Sequence, residues 1–111
     1  MLDAALKGKT SLENIIKILS EKPARMLHIE KQKGKIALGL DADILLFDPQ
    51  QETVIDHNES YSKTAESQVV YQGARLQGRL ESTIIRGREV CKMNKVDQTA
   101  EGYGKWIKIL I

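Results

Sequence analysis

The hydrophobic period of this chain changes at Gly34, and that change constrains the fold more than any other feature. Upstream, Leu12, Ile15, Ile16 and Leu19 recur at i, i+3, i+4 and i+7, one face of an amphipathic helix over roughly Ser11 to Ser20. Thr10-Ser11-Leu12-Glu13 reads as the capping box that opens it, with Thr10 accepting from the Glu13 amide and Glu13 accepting from the Thr10 amide. Glu13 and Lys17 form a supporting i, i+4 pair on the solvent side. Pro23 ends this helix or starts a second one, because a first-turn position tolerates the missing N–H. Ala24, Leu27 and His28 continue a short helical turn before Gly34 breaks it.

Downstream the period falls to two. Lys35 to Leu38 is a short strand candidate, and Gly39 with Asp41 makes a turn. Asp43-Ile44-Leu45-Leu46-Phe47-Asp48 is an apolar run closed by Pro49, short enough to be a strand buried on both faces. Thr53 to Ile55 is a third candidate, and Asp56 to Gln68 reads as a polar extended loop. Ser82 to Ile85 and Glu89 to Lys92 flank Arg86-Gly87-Arg88, a hairpin in which Gly87 supplies positive φ. Leu76 to Leu80 leads into it. The expected architecture is α+β: helices over 1–30, a mainly antiparallel β portion over 31–93, and a tail over 94–111.

Composition narrows the function classes. Seventeen Lys+Arg against fifteen Asp+Glu leave a formal charge of +2, with only five aromatic residues spread along the chain. Neither a nucleic-acid surface nor an anionic-membrane surface is expected from that balance. The longest strongly apolar run, Ile44 to Phe47, is far too short to span a bilayer. Met1-Leu2-Asp3 lacks the basic and apolar regions of a secretory signal. One cysteine, Cys91, allows no internal disulfide and no zinc site built on two or more cysteines, so a reducing cytoplasm is the expected compartment.

Few side chains are candidates for chemistry. His28 and His57 are the only histidines and belong to no His-x-His or HExxH pair, so they read as a helix-end and a loop residue. Asp41 and Asp43 lie at i, i+2, on one face of a strand and near enough to share a cation, but no glycine-containing calcium loop surrounds them, so turn-forming and strand-entry roles are the expected reading. Cys91 reads as an inert thiol in a strand. Arg86 and Arg88 flank a turn and read as solvated. Ser62, Thr64 and Ser67 sit in the polar loop, without the G-x-S-x-G turn that exposes a nucleophile. Gly102-Tyr103-Gly104 lacks the third glycine of a phosphate loop. From the residues alone, no catalytic, cofactor-binding or metal residue is assigned.

Three pieces in order carry a family resemblance: Ser20 to Leu27, Lys33-Gly34-Lys35-Ile36-Ala37-Leu38-Gly39-Leu40-Asp41-Ala42-Asp43-Ile44-Leu45-Leu46-Phe47-Asp48, and Gly78-Arg79 with Thr83-Ile84-Ile85-Arg86-Gly87-Arg88-Glu89-Val90. Together they resemble the C-terminal end of the amidohydrolase superfamily. Tyr61-Ser62-Lys63-Thr64 resembles a loop of its cyclic branch, the dihydroorotases, hydantoinases (dihydropyrimidinases) and allantoinases. That loop usually runs into Thr-Pro-aromatic-x-Gly; here Val69-Val70-Tyr71-Gln72-Gly73 stands in its place, with Val70 where proline would be, which leaves the subfamily open.

The resemblance implies a parent with a (β/α)8 barrel and a small β-sandwich made from both chain ends. It implies zinc held by histidines, a carboxylated lysine and an aspartate on the barrel, which activate water to hydrolyse a cyclic amide C–N bond. On this resemblance Met1 falls after the last catalytic aspartate. Residues 10–27 are then terminal barrel helices, the strands belong to the sandwich, and Asp41 and Asp43 match a sandwich motif, not the metal centre. The chain by itself would bind no metal and be silent. Its partners would be the missing barrel portion or a companion chain, a small cyclic amide for the whole enzyme, and further copies, since the family is commonly homo-oligomeric. A different class of reading is a free-standing β-rich interaction or oligomerisation module. That reading requires the β body to cover the Leu12/Ile15/Ile16/Leu19 stripe.

Overall fold

The structure is a computed structural model that describes residues 1–109. Its helical head begins with α1 (Leu2–Leu6), followed by α2 (Leu12–Ile16), one π-helical turn (Lys17–Glu21) and α3 (Lys22–Met26). The last three run on as one rod. Pro23 has no N–H to return to the carbonyl four residues back, and its ring crowds that carbonyl. The helix widens just before it: the Lys22 amide bonds to the Lys17 carbonyl, five residues back. Pro23 therefore does not end the helical path; it stands in the first turn of α3, the second of the two places expected for it. The N-cap differs from the expected capping box as well. Ser11, not Thr10, is the cap, and its hydroxyl accepts from the Asn14 amide at 3.1 Å.

The rod ends in a Schellman motif built on a histidine. The Ile29 amide bonds to the Ala24 carbonyl at 2.9 Å and the His28 amide to the Arg25 carbonyl at 3.1 Å, with His28 left-handed at φ 55°. Gly34 then brings the following loop back onto the rod. A Cβ there would sit 2.5 Å from the Ala24 Cβ, and φ is +105°, so only glycine permits this approach.

The β body is one antiparallel sheet in the order β1 (Ile44–Val54), β2 (Arg75–Ile85), β3 (Arg88–Lys92) and β4 (Lys95–Val96). Helices followed by an antiparallel sheet is the expected arrangement, but individual elements depart from expectation. Residues 35–38 form no strand, and Ile36 and Leu38 point into solvent. The apolar run and the Thr53 candidate join into one long β1, whose register breaks between Leu46 and Phe47 and again between Asp48 and Glu52. Pro49 lies in the second break, where the strand need not donate, and the Gln50 amide is satisfied by Asp48 Oδ1 at 2.8 Å. Leu45 and Leu46 are exposed, so β1 is not buried on both faces among the described residues. The two hairpins have two-residue turns with positive φ at both positions, Arg86-Gly87 and Met93-Asn94. That is the handedness which matches strand twist. The second hairpin carries no glycine and was not legible in the sequence.

α1 is tied to the sheet by Asp3, which accepts from the Gln77 amide at 2.8 Å. Its carboxyl is held below the usual range by the hydrogen bond from Lys7 and then by the Gln77 amide. Inside the sheet, Gly78 (φ +94°) lies under the ring of Phe47, and Thr53 Oγ1 donates to the Gly78 carbonyl at 2.7 Å.

Burial is sparse. Among the described residues Ile15, Ala24, Gly78 and Ser82 are buried, and Ser82 is satisfied by donating to Glu89 at 2.5 Å. The surface is 8868 Å² for 12.5 kDa, whereas a folded monomer of that mass exposes about 6,200 Å². The radius of gyration is 15.5 Å, against about 13 Å for a closed domain of this length. Of the helical stripe only Ile15 is covered; Leu12, Ile16 (52% exposed) and Leu19 (54% exposed) face outward.

Candidate functional site

The sequence's best pair of carboxylates, Asp41 and Asp43, does come together, around a lysine. Lys33 Nζ lies 2.8 Å from Asp41 Oδ2 and 2.5 Å from Asp43 Oδ2. Gln32 Nε2 adds a hydrogen bond to Asp41 at 3.0 Å, and the Asp41 amide closes the loop onto the Gln32 carbonyl. The free oxygen of Asp43 accepts from the Arg86 amide at 2.9 Å, and the Gly87 amide bonds to the Ala42 carbonyl at 3.0 Å. The cluster therefore bolts the loop after the helical rod to the tip of the β2–β3 hairpin.

Its electrostatics follow from these contacts. Partial burial works against the charge of Lys33, but the hydrogen bonds to Asp41 and Asp43 outweigh it and the ammonium pKa ends up raised. Asp41 is lowered, first by the hydrogen bond from Lys33 and then by that from Gln32. With the carboxylates already engaged by the Lys33 ammonium, the Gln32 side-chain amide and the Arg86 backbone amide, the pair does not fit a divalent cation. Among the described residues no three His, Cys, Asp or Glu side chains converge as a ligand set.

The histidines are far from this role. His28 is the left-handed cap described above. His57 stands in a 3-10 turn (His57–Glu59), with its ring Nδ1 2.5 Å from Gln72 Oε1 and its amide donating to the same oxygen. Asp56 caps that turn, and its carboxyl is lowered by the Asn58 amide first and Gln72 next. Ser62 and Thr64 bond to each other at 3.0 Å, and the Ser67 hydroxyl donates to the Thr64 carbonyl, so all three hold local turns. Neighbouring Tyr61 is the long-range tie: its hydroxyl donates to the Asn94 carbonyl at 2.9 Å, joining this loop to the β3–β4 turn.

Arg86 and Arg88, expected to be solvated, clamp the tail instead. The Arg86 and Arg88 guanidiniums lie 4.3 and 5.2 Å from the Tyr103 ring centroid. Arg86 Nη2 also donates to the Tyr103 carbonyl, and Arg88 reaches Asp97 at 2.9 Å and Thr99 Oγ1 at 2.6 Å. Gly102 (φ +74°) makes the turn that presents Tyr103, so Gly102-x-Gly104 serves the chain path. Alternation of Arg86 and Arg88 around a hairpin turn was the available signal; the ring they hold is too distant in sequence to be inferred.

Two concavities flank Cys91. One, about 570 Å³, is an open groove whose wall runs from Glu52 to Asp56 on β1 and its exit and continues across Ser82 of β2. The other, about 480 Å³, lies between the tail and the apolar side of Ile85, Val90 and Val96. Neither gathers an acid–base pair with a nucleophile. No helix among the described residues is long and apolar enough to cross a membrane.

Comparison with known proteins adds what this geometry does not contain. Residues 4–91 match the amidohydrolase family. The L-hydantoinase of Paenarthrobacter aurescens is 32% identical over 91% of this chain and 21% of its own length. The dihydroorotase of Methanothermobacter thermautotrophicus is 36% identical over 96% of this chain and 23% of its own length. In structure, a D-hydantoinase superposes with a TM-score of 0.72 at 28% identity, over 86% of this chain and 20% of that one. The dihydropyrimidinase from Brevibacillus agri superposes with a TM-score of 0.71 at 31% identity, over 85% and 20%. The chain thus spans about a fifth of the length of the curated relatives it matches.

Proposed function

The chain belongs to the amidohydrolase family, and from that premise we propose that it is the C-terminal part of a metal-dependent cyclic amidohydrolase of the hydantoinase or dihydroorotase kind. In this reading the rod of α2 and α3 is the last helical element of a barrel, and the β1–β4 sheet is one layer of the small sandwich beside it. The observation that carries the reading is the uncovered apolar surface. Leu12, Ile16 and Leu19 form one exposed stripe on the rod while Leu45 and Leu46 are exposed on β1. Full burial of such a side chain is worth about 1.5–3 kcal/mol, and these, being half exposed, forgo about half of that. A free-standing interaction module would fold its own β body over that stripe, and this chain does not.

The parent reaction adds water across a ring amide: the carbonyl carbon gains the oxygen, the C–N bond breaks, and the nitrogen leaves with a proton. The metals, zinc by resemblance, and the groups that move that proton belong on the barrel; this chain's residues contribute support. The single Cys91 suits a reducing cytoplasm, and the parent is proposed to act as a homo-oligomer.

Two measurements test the proposal. The coding DNA directly upstream of Met1 should continue in phase and encode a His-x-His with further barrel strands. The purified chain, supplied with zinc, should hydrolyse none of dihydroorotate, hydantoin or allantoin. Turnover by the isolated chain would overturn the assignment of the chemistry to an absent barrel.

A further inference from the structure

We propose that residues 97–104 form a latch that closes over the apolar side of the β2–β3 hairpin and opens as one unit, with Tyr103 between two guanidiniums as its catch. Four observations on separate atoms point the same way. The segment is held at its start by Asp97, whose amide donates to the Val90 carbonyl at 2.9 Å and whose carboxylate takes the Arg88 guanidinium. It is held at its end by Tyr103, through the ring against both arginines and the carbonyl against Arg86. Between these ends Thr99 Oγ1 also accepts from Arg88 at 2.6 Å, and the remaining bonds are short-range, Ala100 amide to Asp97 carbonyl and Tyr103 amide to Ala100 carbonyl. Between it and the hairpin lies an open cleft of about 480 Å³, walled by Ile85, Val90 and Val96 on one side and by Gln98, Ala100 and Glu101 on the other.

A segment whose ties at Asp97, Thr99 and Tyr103 all run to Arg86 and Arg88 or to the adjoining strand, with local bonds inside it, is released by loss of those shared contacts and not residue by residue. Both arginines stand on the hairpin turn, and Arg86 is itself fixed from behind by the Asp43 bond to its amide. The catch is therefore mounted on a tip tied to the loop after the rod, and the latch hangs on that tip through side-chain contacts. Past the latch, Trp106 is 94% exposed. Opening of the latch uncovers the apolar wall of the hairpin at Ile85, Val90 and Val96.

Amide hydrogen exchange on the full chain tests this. The Asp97, Ala100 and Tyr103 amides should share one opening rate, faster than that of the β2 amides. Arg86→Ala with Arg88→Ala should speed those three together by about tenfold or more and leave β2 unchanged. Tyr103→Ala, which spares both arginines and the sheet, should do the same and serves if the double variant does not fold. Arg88→Lys should fall between, since an ammonium keeps the Asp97 pairing but loses the flat contact with the ring. Independent rates for the three amides in the native chain would overturn the proposal. So would a rise in β2 exchange that parallels the rise in the latch.

Discussion

Asp43 Oδ1 accepts a hydrogen bond from the Arg86 backbone amide at 2.9 Å, across 43 residues of chain. One carboxylate thereby orders the tip of the β2–β3 hairpin from the loop that leaves the helical rod, while its other oxygen holds Lys33. Asp43→Ala removes both functions, whereas Asp43→Asn keeps an acceptor for the amide and loses the charge. The amide bond is worth about 1 kcal/mol, and the ion pair adds little at a carboxylate as open as this one. Urea unfolding should show Asp43→Ala less stable by about 1–2 kcal/mol and Asp43→Asn by less than half of that. Equal losses in the two variants would place the effect in the charge, not the hydrogen bond.

The same cluster sets a pH response with two sides. Asp41 has its pKa lowered in the folded chain, so its contribution is present above the unfolded-state value and is lost as pH falls below about 4. Lys33 has its pKa raised, so its contribution is present below the unfolded-state value and is lost as pH rises beyond about 10. Stability should be flat between these limits. Lys33→Met should abolish the alkaline decline. It should also shrink the acid one without removing it, because Asp3, Asp56 and Asp97 are lowered too. Urea midpoints measured from pH 3 to pH 11 check both arms.

His28 occupies a left-handed position at the end of the helical rod, which disfavours any residue with a Cβ. His28→Gly should stabilise the chain by about 0.5–1 kcal/mol, offset in part by the greater freedom of glycine when unfolded. A thermal melt that moves downward would show that the imidazole makes a contact worth more than the strain.

Gly78 is the reverse case. Its φ is +94°, and a Cβ would fall 2.0 Å from Phe47 Cζ. Gly78→Ala should cost at least about 2 kcal/mol from the combined clash and backbone strain. Gly78→Ala with Phe47→Leu should recover part of that loss, and absence of any recovery would separate the strain from the clash.

The stripe of Leu12, Ile16 and Leu19 should drive self-association of the isolated chain. Ile16→Glu with Leu19→Glu should shift sedimentation toward monomer while far-UV dichroism stays unchanged, since both side chains already face solvent.

What the sequence determined by itself was local. The i, i+3, i+4, i+7 spacing marked the helical face, Gly34 marked the end of the helical head although the first strand begins only at Ile44, and Arg86-Gly87 between apolar runs demanded a hairpin. Each of these depends on backbone geometry within a few residues, which composition expresses directly. Even locally, the cap fell on Ser11, the rod passed through Pro23 by widening, and Met93-Asn94 made a turn without glycine. The tertiary structure alone decided that Asp41 and Asp43 hold a lysine and a hairpin amide, that Arg86 and Arg88 hold Tyr103, and that among the described residues only Ile15 of the helical stripe is covered. Those outcomes depend on which surfaces the chain path brings face to face. Residues tens of positions apart meet, or fail to meet, through the summed packing of everything between them, and a one-dimensional pattern does not encode that sum.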